Sequence, residues 1–277
     1  MSFKDRKRSG DLKGYLIIAL VTIVFIFGAV YFFINEEKKV KIDPKTFCPK
    51  ENKENYGKTV ALLDLTDSLN KAQKEFFIKE IQSLKKNLPK HHSLTIYTLD
   101  ASLDLKSSRK ITMCNPGTVD DINTTYQKIS INPKEITKRW NEDFSNQIIN
   151  VINNIIIEED SQNSSPVMEM FQLIALNEFK NFEGIDNNLL IFSDMIQNTN
   201  QMSMYKNGII SFSEFKKAEY FSKVFTNLNN NVDIELLVIK RDGSRIMQQS
   251  KNFVNFWAQF FMNGNRAKDF KLTFVDG

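Results

Sequence analysis

The sequence predicts a doubly wound α/β domain, a mostly parallel sheet with helices on both faces, preceded by one N-terminal transmembrane helix. Three observations carry this reading. From Thr59 onward, short unbroken runs of Val, Ile, Leu and Phe alternate with amphipathic stretches, the pattern of strands buried on both faces between crossover helices. Two of those runs, Leu62-Leu63 and Ile191-Phe192, lead into a carboxylate at Asp64 and Asp194, and such sheets gather ligands at the carboxyl ends of their strands. Ahead of all this, the twenty residues Tyr15 to Ile34 carry no charge.

The uncharged run is long enough to span a bilayer as a helix. A cleaved signal peptide is the alternative, but Gly28-Ala29-Val30 is a poor cleavage site and the apolar run continues through Tyr31-Phe32-Phe33-Ile34. Aromatic residues at both ends suit the two membrane interfaces. Lys4, Arg6, Lys7, Arg8 and Lys13 favour a cytoplasmic N-terminus, and Lys38, Lys39, Lys41 and Lys45 dilute that asymmetry. Residues 1–14 are thus a basic tail and 15–34 the anchor. Residues 35–57, rich in Lys, Glu and Asn with Pro44 and Pro49, read as a stalk leading into a domain over 58–277.

Within that domain, Val60–Leu65 reads as the first strand. Asn70–Leu88 reads as a helix, with Phe77, Ile81, Leu84 and Leu88 on one face and Pro89 closing it. Ser93–Leu99 is the next strand and Arg109–Met113 a short edge strand. Pro133 opens a long helix with one stripe of Ile136, Trp140, Phe144, Ile148, Val151, Ile152 and Ile155. A second helix starts at Pro166 with Ser165 as its expected N-cap, apolar nearly all round and hence buried. Leu189–Phe192 is a strand, and Ser213 is expected to cap one helix running to Leu228. Ile234–Ile239, a helix around Phe253–Phe261 and a final strand Lys271–Val275 complete the series.

Composition excludes several functions. The net charge of +4 owes much to the first 35 residues, with five Lys/Arg against two Asp, and the remainder is nearly neutral. A nucleic-acid binder would show a basic stripe, and none is evident. The two cysteines, Cys48 and Cys114, lie in turn-rich sequence beyond the span. That even, minimal count fits one disulfide in an exported domain, with two free thiols as the alternative. The expected location is the bacterial inner membrane, with the large domain in the periplasm.

Three separated segments offer oxygen ligands: Asp64-Leu65-Thr66-Asp67-Ser68, Ser164-Ser165-Pro166 and Phe192-Ser193-Asp194. Carboxylates with hydroxyls are the hard set that Mg²⁺ favours, with Mn²⁺ or Ca²⁺ as alternatives. These segments resemble the metal-ion-dependent adhesion site of the von Willebrand factor A family. That family reads Asp-x-Ser/Thr-x-Ser after the first strand, Thr-Pro-Leu-x-Glu in a later loop, and Ser-Asp-Gly after the fourth strand. Here Ser165-Pro166-Val167-Met168-Glu169 has Ser for Thr, and Met195 stands where Gly is common. The resemblance implies a metal site of Asp64, Thr66, Ser68, Ser165 and Asp194, with Thr66 and Ser68 touching the ion and an acidic side chain of a protein partner completing its shell. Asp67, which the pattern does not require, is expected to face solvent, with strengthening of cation attraction or capping of the helix at Asn70 as alternatives.

Other chemistries fit poorly. His91-His92 lacks zinc-ligand spacing and reads as a solvated turn. A phosphatase nucleophile at Asp64 would need a carboxylate at position 66, which is Thr. A serine nucleophile would need a histidine, and both stand together at the start of a strand. Gly57-Lys58-Thr59 lacks the rest of a phosphate loop. The expected role is protein–protein interaction within an envelope complex or adhesion, not catalysis. The alternatives are a metal-independent structural subunit and, less favoured, a metal-assisted hydrolase.

Overall fold

Residues 3–37, 40–122, 132–157, 162–180, 182 and 185–276 are described by the computed structural model. They form two units, Met1–Lys41 and Ile42–Gly277. The first is a single helix, Phe3–Glu37, in which Gly14–Tyr31 has a mean hydropathy of 2.4. It is long and apolar enough to cross a membrane. The side chains of its basic tail and of Phe32 and Phe33, and residues 38–39, lie outside the described residues.

The second unit is built on a six-stranded sheet: β1 (Lys58–Leu63), β2 (Ser93–Thr98), β3 (Arg109–Cys114), β4 (Asn187–Ser193), β5 (Val232–Ile239) and β6 (Asp269–Val275). The order is β3-β2-β1-β4-β5-β6, and every pairing is parallel except β2 with β3. The doubly wound fold expected from the sequence is the one observed. Winding reverses between β1 and β4, so the crevice outside their carboxyl ends is the topological switch point. Asp64 and Asp194 follow those two strands.

Alternate residues of each strand feed two cores. Val60, Leu62, Leu189, Ile191, Leu236 and Val238 pack on one face with Phe171, Phe215, Phe253, Phe256, Trp257, Phe260 and Phe261. Ala61, Leu63, Leu190, Phe192, Leu237 and Ile239 pack on the other with Phe77, Ile81, Phe144, Ile148 and Ile152. Burial on both faces is why the strands read as continuous apolar runs.

The helix over Lys71–Asn87 begins with a reciprocal cap, Asn70 accepting from Gln73 N–H while the Gln73 side chain accepts from Asn70 N–H. The stripe after Pro133 is helical through Ile157, with a π-helical turn over Arg139–Ser145.

Four expectations need correction. The stalk reading fails from Ile42 on: Phe47 is buried, Cys114 N–H donates to Thr46 O at 2.8 Å, and Cys48 is bonded to Cys114. Ser165 does not cap the helix Val167–Ile174; Pro166 holds that position without a side-chain cap, and the Ser165 hydroxyl turns to Asp64 instead. The single helix expected from Ser213 to Leu228 is two, Phe212–Phe215 capped by Ser211 and Glu219–Val224. The break at extended Ala218 accompanies burial of Tyr220, whose hydroxyl meets Gln197. Finally, His91 and His92 are half-buried against Tyr56, at ring-centroid distances of 5.3 and 6.4 Å.

Candidate metal centre

β1 ends where its apolar run meets Asp64, whose N–H still donates to Phe192 O on β4 at 2.9 Å. The carboxylate is therefore held inside the switch-point crevice, 2% exposed. Its Oδ1 accepts from Thr66 N–H at 3.0 Å and from the Thr66 hydroxyl at 2.7 Å. Its Oδ2 accepts from the Ser193 hydroxyl at 2.6 Å and from the Ser165 hydroxyl at 3.3 Å. Residues 101 and 129 positions downstream thus converge on one side chain. A hydroxyl that spends its proton on a carboxylate keeps its lone pairs for a cation. Among the described contacts Thr66 and Ser165 are in that state, whereas Ser193 Oγ also accepts from Met195 N–H at 2.8 Å.

Ser165 is placed by a two-way backbone bridge to Asn198, its N–H donating at 2.9 Å and its carbonyl accepting at 3.0 Å. The neighbouring Gln197, fully buried, braces the same loop pair. Its amide nitrogen donates to Glu169 Oε2 at 2.8 Å and to the Tyr220 hydroxyl at 2.9 Å, while its oxygen accepts from Met168 N–H.

Asp194 is buried beside Asp64. Oδ1 accepts from Ile196 N–H at 2.8 Å. Its Oδ2 lies 3.7 Å from Arg241 Nε, close enough for an ion pair and too long for a hydrogen bond. Burial, and then the charge of Asp64, push its carboxyl up to about 7. Met195, next along, holds φ at 59°, the left-handed region. Glycine adopts this backbone geometry without strain. Met195 accepts the strain and is completely buried.

Arg241 follows β5. Its two terminal nitrogens donate to the carbonyls of Ser68 at 2.6 Å and Asp67 at 3.0 Å. Its backbone N–H donates to Gln248 Oε1, and the Gln248 amide nitrogen donates to the carbonyls of Asp194 and Ile239. The ends of β1, β4 and β5 are tied together in this way.

Of the residues singled out in the sequence, Asp64, Thr66 and Ser165 are in direct hydrogen-bond contact, and Asp194 lies against them through Ser193 and its charge. Ser68 is exposed, and it enters the described network through its carbonyl. Asp67 is exposed, as expected. Sequence reasoning missed Ser193 as a partner of Asp64, and missed Gln197, Arg241 and Gln248 altogether. Ser193 was legible, as a hydroxyl at the last position of a buried strand; the other three depend on how loops fold back.

The donor set suits a hard divalent cation. It consists of two carboxylates and hydroxyls with free lone pairs, and among the described residues no cluster of three or more His, Cys, Asp or Glu offers a competing site. Thr66, Ser165, Asp64 and Asp194 would hold such an ion.

No family model matches the chain, and no curated protein matches it. Among solved structures it is similar to proximal thread matrix protein 1 from mussel byssus, solved with a zinc-occupied MIDAS motif. The identity is 9% and the TM-score 0.36, over 79% of this chain and 41% of that one. This chain therefore spans about two fifths of the mussel protein's length. It is also similar to an aerotolerance-related membrane protein from Bacteroides fragilis, at 13% identity and TM-score 0.33, over 80% and 92% of the two chains. For BatB from Bacteroides thetaiotaomicron the values are 12%, 0.30, 80% and 91%. What this chain binds is read from its own side chains.

Proposed function

We propose that the protein is a membrane-anchored interaction domain that engages a protein partner through a Mg²⁺-dependent site at the carboxyl edge of its sheet, on the periplasmic side of an inner membrane. The observation that carries this is the convergence of Thr66, Ser165 and Ser193 on Asp64, with Asp194 alongside, at the switch point. The ion would supply a Lewis-acidic position to which a partner's carboxylate adds. This chain's residues orient hydroxyl lone pairs toward that position and keep two acidic groups out of bulk water. The rim offers apolar contact as well: Tyr205, which feels the charge of Asp194, is 54% exposed, and Ile246, on the short helix that carries Gln248, is 91% exposed.

The test is titration of the full-length chain in detergent with Mg²⁺ and with Mn²⁺ by calorimetry, in wild type, Asp64→Ala and Thr66→Ala. Saturable binding lost in both variants is the expected result. A partner captured in Mg²⁺ and released by chelator would complete the case.

A second reading, a metal-independent structural subunit, draws support from the four hydrogen bonds that already satisfy Asp64. It expects partner binding to survive both chelator and Asp64→Ala.

A further inference from the structure

The Arg241 guanidinium is the one feature of the crevice that a plain metal site does not call for. Asp64 is satisfied by hydroxyls and a backbone N–H, but Asp194 is not. Among its described contacts, Oδ2 has only Arg241 Nε, at 3.7 Å. That Nε is itself buried and, among the described residues, makes no hydrogen bond. The buried donor faces the carboxylate without closing on it, and the unmade hydrogen bond costs the guanidinium. What holds the guanidinium back is its other end, clamped to the carbonyls of Asp67 and Ser68. Arg241 thus grips the loop that carries Thr66 and faces the carboxylate that a cation would need.

We propose, resting on the metal-site reading above, that Arg241 is the built-in counter-cation of this site and competes with the divalent ion for Asp194. A guanidinium is always charged and weakly hydrated, which suits a half-buried position beside a carboxylate. With Arg241 in place the two buried carboxylates share one positive charge. When a divalent ion enters, it meets that charge at close range, and the repulsion lowers its affinity. The open Nε is what allows the guanidinium to yield, since it has no hydrogen bond to Asp194 to break. An acidic group from a partner would draw it away further, so that metal and partner bind better together than either does alone.

The experiment is calorimetric titration with Mg²⁺ alone and Mn²⁺ alone of the full-length chain in detergent, as wild type, Arg241→Gln and Arg241→Lys. Competition predicts that Arg241→Gln, which removes the charge, binds the ion about tenfold or more tightly than wild type. Arg241→Lys, which keeps the charge, should stay close to wild type. Unchanged or weaker binding in a folded Arg241→Gln, with wild type still binding, overturns the proposal and leaves the metal site standing. Absence of binding in both wild type and Arg241→Gln overturns the metal site and this proposal together. Should Arg241→Gln fail to fold, the wild type itself decides: the ¹⁵N-labelled Arg241 Nε–H resonance must shift on saturation with Mg²⁺, and a resonance that stays put overturns the competition.

Discussion

Two buried carboxylates in this protein are treated in opposite ways. Glu178 is surrounded: its Oε1 accepts from the Tyr97 hydroxyl at 2.6 Å and from Arg109 at 2.8 Å, and its Oε2 pairs with Lys58 at 3.3 Å. Arg109 also donates to the Tyr97 hydroxyl, closing the ring of contacts. The cleft of about 280 Å³ beside it is lined by Cys48 and Cys114, whose disulfide locks the same corner. Asp194 has one backbone N–H, one guanidinium that stops short, and a second carboxylate as neighbour. The first arrangement is complete, and an added ligand would only disrupt it. The second leaves negative charge uncompensated, and a bound cation would relieve it. Burial alone does not distinguish the two, whereas partner counting does.

The comparison can be broken at its strongest point first. Replacing both Cys48 and Cys114 by Ser opens a covalent loop of 66 residues' separation, and chain-entropy reasoning puts the loss at up to about 4 kcal/mol. Urea unfolding of the full-length chain would measure it, and the Mg²⁺ affinity of the folded protein should be unchanged. Next, Glu178→Ala leaves Tyr97 buried and two cations unpaired. Because Arg109 is half-exposed, the expected loss is about 2–3 kcal/mol, read from the same unfolding curves and independent of Mg²⁺.

Asp194→Asn should behave in the opposite sense. Burial and the charge of Asp64 raise the folded-state pKa of Asp194 to about 7 from the ordinary 3.8 of an aspartate, so the folded chain binds more protons than the unfolded one between those values. Its contribution to stability therefore falls as pH rises from about 4 to about 7, in chelator. Asp194→Asn should flatten that slope and leave the metal-free protein at least as stable as wild type at pH 7.5. Thermal melts across pH, with and without Mg²⁺, would show it. A loss as large as that of Glu178→Ala would mean that Asp194 is structural. Among the crevice residues, the smallest effect on Mg²⁺ affinity is expected for Met195→Gly. Relief of the left-handed backbone is worth about 1 kcal/mol, and loss of a fully buried side chain costs more. The net is a modest loss of stability with the Mg²⁺ affinity within about twofold, since the backbone that aims Asp194 is kept.

This contrast also marks how far the sequence could be read. Strands were legible because both faces of the sheet are buried, so each strand is a continuous apolar run, and Asp64 and Asp194 stood out as the residues that end two of those runs. Helix boundaries were less so. Asn70 and Pro133 announce their helices through local chemistry, but Ser165 and Ser213 have the same local look and do other things. The Ser165 hydroxyl is claimed by a carboxylate 101 positions away. The break at Ala218 serves a tyrosine that must reach Gln197. Arg241 and Gln248 were invisible for the same reason: a polar residue after a strand looks like ordinary surface until the turn places it over a neighbouring strand's end. Glu178 shows the converse, a charge within an apolar helix whose partners come from three other segments.

The disulfide has a mechanical consequence. Cys114 lies opposite Ser93, which lies beside Lys58, so the bridge sits at the amino end of the parallel strands, while Asp64 and Asp194 lie at the other end. A pull on the chain upstream of Ile42 reaches Cys48 and passes through the sulfur bridge into β3. The load therefore enters the sheet at β3 and not through the stretch from Cys48 to the amino end of β1. Tension on the tether would therefore not peel β1 from its amino end, and the loop could stay in register with Asp194 while the domain is under strain.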